Sequence, residues 1–313
     1  MKICKPKKLE KGDTIGIISP ASSPDDFSKI EKGAAYLEKC GYRVLIGKNT
    51  DKYNGYLAGT DLQRADDLMY MFAEKDVKAV FCTRGGYGTP RLLDKIDYDV
   101  IKKNPKIFVG YSDITALQMA IFKKTGLITF AGPMVVSDFS GEIDPYAEEL
   151  FWEIITSNKA YGKIKLPENE KLSSITKGGS QGKILGGNLA MITSSAGTGY
   201  FPDLKNAVLF LEEVCEAPYR VDRMLNQLRL MNVFNEISGL ILGAFTECNE
   251  SNRDKKTLTL GEVIHNYLSD LEIPVIYNFP HGHIKSKITI PYGIDVNINA
   301  SRATAEYMEN AVV

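Results

Sequence analysis

Strand and helix patterns alternate along the first half of this chain, joined by short glycine-rich turns. With the near-continuous apolar runs at residues 14–19 and 106–109, that alternation predicts an α/β fold on a Rossmann-like parallel sheet with flanking helices. A polar, Lys/Ser/Gly-rich stretch over 157–182 has no sustained period and reads as a linker, so a second, smaller, β-rich α/β domain is expected after it. The predicted boundaries are 1–156 for the first domain, 157–182 for the linker and 183–313 for the second.

Residues 14–19 read as a buried strand, turned at Pro20 to Pro24 into a helix carrying Ile30, Ala34, Ala35 and Leu37. Gly41 separates that helix from a strand over 42–46. A helix over about 61–73 leads into a strand over 77–82, then a glycine turn, Arg84-Gly85-Gly86-Tyr87-Gly88, and a helix around 91–93. The strand 106–109 runs into Gly110-Tyr111-Ser112-Asp113, after which Ala116, Leu117, Met119, Ala120 and Ile121 mark a packed helix ending at Gly126. Beyond the linker, Gly186-Gly187-Asn188 opens a helix. A strand over 207–211, an amphipathic helix over 221–230 and a strand over 239–245 follow, then a helix over 260–268, a strand over 275–278 and a β-rich end.

The chain's 313 residues are 44% hydrophobic and 25% charged, enough to bury a sizeable core. With 38 basic and 39 acidic side chains and a formal net charge of -1, no nucleic-acid or anionic-membrane partner is expected. The five cysteines are scattered, odd in number and form no C-x-x-C pair, which fits thiols in a reducing compartment. The Lys-rich start lacks the apolar stretch of a signal peptide, and no run approaches the roughly 18–20 apolar residues of a bilayer span. A cytoplasmic setting is the simplest expectation.

Ser112 stands where a buried strand turns sharply into a helix, a place that exposes a hydroxyl beside free helix N–H groups. That suits a nucleophile, but serine is also a favoured N-cap, the commoner role for such a turn taken alone. Of the three histidines, His265 lies mid-helix, whereas His281 and His283 follow a buried strand, where α/β sheets place their sites and an imidazole can act as general base. No H-E-x-x-H, third histidine or cysteine cluster joins them, so no metal is expected. Glu212 and Glu213 close the apolar strand 207–211, and either can orient an imidazole or be a solvated charge. The Gly85-Gly86 turn is neither a Walker loop nor G-x-G-x-x-G. It lets backbone N–H groups approach a ligand, and with the N–H of Asp113 it can form an oxyanion site, or it is simply a tight turn. The order Ser112, Glu212, His283 is that of α/β-hydrolases, but Ile114 stands where their G-x-S-x-G elbow needs glycine.

Seven ordered segments carry a resemblance. They are GDTIGIISPAS at 12–22, AGTDLQRADDL at 58–68, RGGYGTPRLL at 84–93, PKIFVGYSDITAL at 105–117, GGNL at 186–189, LFLEEVCEAPYRVDRML at 209–225, and PHGH with IPYG within 280–293. Through them the chain resembles the LD-carboxypeptidase family of serine peptidases over essentially its whole length. The resemblance implies Ser112 as nucleophile, Glu212 rather than Glu213 as triad carboxylate, and His283 rather than His281 as base. It implies an oxyanion hole from the backbone of Asp113, Gly86 and Gly85, no cofactor and a homodimer. The implied substrate is a murein tetrapeptide that loses its terminal D-alanine in peptidoglycan recycling. Two alternatives stand beside it: a microcin C immunity-type hydrolase of aminoacyl-nucleotide conjugates, and a non-catalytic α/β protein that binds a small ligand.

Overall fold

The computed structural model describes residues 2–252, 254 and 256–313. Five strands of the first half form a parallel sheet: β1 (Thr14–Ile18), β2 (Arg43–Ile46), β3 (Val77–Cys82), β4 (Ile107–Val109) and β5 (Thr129–Ala131). Apart from β2, they are buried almost residue for residue, because helices cover both faces. Among those helices are Ser28–Lys39, Asp61–Ala73, Thr115–Thr125 and Pro145–Thr156. Local chemistry sets their ends. Thr60 and Gln63 close a capping box on the second of them, and Gly126 stops the third in the left-handed region at φ 76°.

The remaining strands are β6 (Gly162–Lys163), β7 (Ser173–Thr176), β8 (Gly179–Asn188), β9 (Val208–Val214), β10 (Gly239–Thr246), β11 (Val275–Tyr277), β12 (Ile290–Tyr292), β13 (Asp295–Asn299) and β14 (Thr304–Tyr307). The first sheet runs β12-β5-β4-β3-β1-β2, and the second β6-β14-β13-β8-β9-β10-β11-β7. Strands β8 to β11 are parallel neighbours, flanked by antiparallel partners on both sides.

Three features depart from simple sequence reading. Within 157–182 the chain forms β6 and β7, the two edge strands of the second sheet, and the start of β8, which pairs antiparallel with β13; these polar segments need no apolar period to pair. Second, β12 leaves the second half and pairs antiparallel with β5 of the first sheet. Third, β9 continues to Val214, so Glu212 and Glu213 lie within a strand and their side chains take opposite faces.

In the first sheet the order reverses between β1 and β3, which leaves a crevice beyond their carboxyl ends. The Pro20–Ser23 and Arg84–Gly88 segments border it. Among the described residues, no helix is long and apolar enough to cross a membrane.

Candidate active site

Ser112 follows β4 across Gly110, where a Cβ would press within 3.0 Å of the Ile114 side chain. The backbone at Ser112 is left-handed, φ 64°, a conformation that costs a non-glycine residue about 1–2 kcal/mol. A 3₁₀ turn, Ser112–Ile114, then leads into the helix Thr115–Thr125. Neither start has a side-chain cap, so the capping role open to Ser112 on sequence grounds is not the one it takes. Its Oγ lies 3.0 Å from His283 Nε2 instead.

His283 Nδ1–H donates to Glu212 Oε2 at 2.8 Å, which fixes the tautomer and leaves Nε2 to accept from the serine. Glu212 is 1% exposed. Gly282 makes the approach possible: at φ 130°, a Cβ there would sit 2.9 Å from the same carboxylate oxygen. The Tyr111 ring meets the His283 imidazole edge-on at 5.3 Å. Lys287, buried, donates to the Tyr111 hydroxyl at 3.0 Å and to Asp138 at 2.7 Å, holding that ring in place.

The other candidates separate cleanly. His281 is buried, donates from Nδ1 to the Ile288 carbonyl and packs edge-on against Phe210; burial pushes its pKa down to about 3, so it stays neutral. His265 is exposed on its helix. Glu213, on the opposite face of β9 from Glu212, accepts from Asn188 Nδ2 at 2.7 Å and from the Ala190 and Val214 amides at 2.8 and 2.9 Å. It braces the start of the helix Leu189–Ser194, opened by Asn188 as the glycine-rich segment suggests.

Burial pushes the Glu213 pKa up from 4.5 to about 6, against the three N–H donors that pull it down. A carboxyl whose folded pKa is raised stabilises the fold fully below the unfolded value and loses that contribution as pH rises through the folded one. The contribution of Glu213 therefore falls by about 2 kcal/mol between pH 4.5 and 6 and above. Urea melts of the parent and Glu213→Gln across pH 4–7 should show their stability difference moving against the parent in that window. A difference constant with pH would refute the shift.

The glycine turn and the serine turn are tied together through Asp113. Its buried carboxylate accepts from the Gly88 and Thr89 amides at 3.2 and 2.9 Å, and its carbonyl accepts from the Thr89 hydroxyl. Burial raises the Asp113 pKa despite those donors. Gly85 faces Ser112: a Cβ would lie 2.8 Å from its Cβ, 3.0 Å from its Oγ and 3.4 Å from the Asp113 nitrogen. Gly86, at φ 112°, has Ser22 where a side chain would go. The backbone of this turn thus lies directly against the Ser112 side chain and the Asp113 nitrogen. Gly85→Ala is expected to lower kcat by about 10²-fold, because its methyl must displace the serine. Unchanged kcat in that variant would separate the turn from the chemistry.

Some supporting residues carried no individual signal in the sequence. Arg64, 1% exposed, donates to the Pro20 and Gly88 carbonyls and to Asp61, locking both segments that border the crevice. It stands inside the AGTDLQRADDL segment, which was its only pointer. Thr115 accepts from the Asn188 amide at 3.1 Å, joining the serine turn to the second sheet. Among the described residues, no group of three or more His, Cys, Asp or Glu side chains is arranged to hold a metal ion.

The sequence and the fold both have relatives among known proteins. Residues 15–132 match the family model of the LD-carboxypeptidase N-terminal domain, and 181–298 match that of its C-terminal domain. A probable murein peptide carboxypeptidase of Bacillus subtilis is 38% identical, the alignment covering 96% of this chain and 93% of that protein. Among solved structures, a muramoyltetrapeptide carboxypeptidase from Oxalobacter formigenes superposes with TM-score 0.82 at 31% identity, covering 94% of this chain and 97% of the other. An inactive mutant of the microcin C7 self-immunity protein MccF superposes with TM-score 0.90 at 29% identity, covering 99% of both chains. With both halves matched and relatives spanning nearly its full length, the chain belongs to the LD-carboxypeptidase family.

Proposed function

We propose that the protein is a serine carboxypeptidase that cleaves the amide between an L-centre and a C-terminal D-amino acid, releasing D-alanine from murein tetrapeptides. The observation that carries this reading is the chain of contacts from Ser112 Oγ through His283 to Glu212, at 3.0 and 2.8 Å. Ser112 attacks the scissile carbonyl while His283 Nε2 takes its proton. Glu212 holds the ring and stabilises the imidazolium. The N–H groups of Asp113 and the Gly85-Gly86 turn hold the oxyanion. Collapse passes the proton from His283 to the departing amine and leaves an acyl-enzyme on Ser112. A water activated by the same imidazole then releases the shortened peptide. An imidazole, not a metal ion, activates the nucleophile. The reading carries with it a cytoplasmic homodimer engaged in peptidoglycan recycling.

The superposition on the microcin C7 self-immunity protein supports a second reading, in which the acyl group is released from a nucleotide conjugate. One assay separates the two: the protein is incubated with a murein tetrapeptide and, separately, with an aminoacyl-sulfamoyl adenosine. Free D-alanine from the first, with the second left intact, is the expected result. Cleavage of the nucleotide conjugate alone transfers the assignment to the second reading. Binding of either without product makes the protein a receptor rather than an enzyme.

A further inference from the structure

A carboxypeptidase removes one residue from a chain end, so its cleft must recognise a free carboxylate only two backbone bonds, about 2.5 Å, beyond the scissile nitrogen. The cation that does so must stand near Ser112 with bonding capacity to spare. Arg64 is buried and committed to two carbonyls and Asp61, and Arg91 pairs with the same Asp61 at 2.9 Å. Lys287 is committed to Tyr111 and Asp138.

Arg84 differs from these. It directly precedes Gly85, whose Cβ position is 3.0 Å from the Ser112 hydroxyl. Its guanidinium makes a 3.3 Å hydrogen bond to the Ser23 carbonyl and a 3.8 Å ion pair with Asp25, whose side chain is 99% exposed. An ion pair that long to a fully solvated carboxylate is weak and readily exchanged. Arg84 also lines a cavity of about 570 Å³ with Ser22, Ser23, Phe27, Tyr53 and Tyr56. That cavity lies at the β1/β3 reversal, where open α/β sheets bind their ligands. It borders the oxyanion turn, because Ser22 is the residue packed over Gly86.

We infer that Arg84 receives the terminal carboxylate of the substrate through a two-pronged guanidinium contact at the edge of this cavity. The assignment rests on the carboxypeptidase reading above and extends it from bond cleavage to chain-end selection. Asp25 exchanges for the incoming carboxylate. A substrate ending in a carboxamide leaves the guanidinium without its anion and is a poor substrate.

The test compares a murein tetrapeptide ending in D-alanine with the same peptide as a C-terminal carboxamide, using the parent, Arg84→Met and Arg84→Lys. The parent is expected to prefer the acid by about 10- to 100-fold in kcat/KM, the range for a lost charge-assisted hydrogen-bond pair. Arg84→Met should lose that preference, chiefly through KM, while kcat/KM for the carboxamide stays within about threefold of the parent. Arg84→Lys should recover part of it as a point charge without the fork. Labelling of Ser112 by a fluorophosphonate at the parental rate shows that each variant retains its active site. If Arg84→Met does not label, Arg84→Gln takes its place in the comparison. Retention of the parental acid-over-amide preference in a labelled Arg84→Met or Arg84→Gln variant overturns the assignment. A parent that cleaves neither peptide overturns the carboxypeptidase reading, and the inference with it.

Discussion

Ser112→Ala is expected to lower D-alanine release by about 10⁴-fold or more, since removing a nucleophile leaves only binding and oxyanion stabilisation. The fold should survive. Alanine keeps the Cβ and the same left-handed strain at φ 64°, and only the hydroxyl's 3.0 Å hydrogen bond to His283 is lost. One such bond is worth about 1 kcal/mol, so the thermal midpoint should move by only a few degrees. Product chromatography alongside a circular-dichroism melt gives both numbers. A folded variant with parental turnover would remove Ser112 from the chemistry altogether.

Glu212→Gln should produce the second largest loss, about 10³- to 10⁴-fold in kcat, with KM little changed. The substitution is nearly isosteric and stays 2.8 Å from His283 Nδ1, but the amide carries no charge to stabilise an imidazolium. An amide group turned with its NH₂ toward Nδ1 also favours the tautomer that protonates Nε2, the nitrogen that must accept the serine proton. The parallel substitution Glu213→Gln, on the other face of β9, should leave kcat far closer to the parent. Equal losses in the two variants would show that the strand's alternation does not assign the roles.

The contrast between these two glutamates shows where sequence reading stops. An apolar run ending in two carboxylates marks the place, but which of them faces the histidine depends on where β9 lies between β8 and β10. His281 and His283 pose the same problem across Gly282, whose φ of 130° turns one ring into the core and the other toward Glu212. The resemblance chose Glu212 and His283, and those two side chains hydrogen-bond each other while His283 also reaches Ser112. Strands β1, β3 and β4 of the first sheet were legible because burial on both faces demands unbroken apolar runs, whereas β5, only three residues long, gave no such run. The polar strands within 157–182 were not, since pairing there uses backbone groups that any sequence supplies. Lys287 was silent for a related reason. Its partners Tyr111 and Asp138 lie about 150 or more positions away, and no local pattern encodes such a pairing.

The return of β12 to the first sheet sets an order of events during synthesis. Strand β5 is complete at Ala131, yet the partner for its open edge is residues 290–292, made roughly 160 positions later. At about 5–20 residues per second, a nascent chain spends about 8–30 s with that apolar edge unpaired. The same final stretch supplies His283, so the contacts among Ser112, His283 and Glu212 become possible only shortly before the edge can be covered. A chain cut short before residue 283 lacks both that histidine and the cover for β5. The exposed β5 edge is the natural point for chaperone engagement, or for misassociation between neighbouring nascent chains, until that strand arrives.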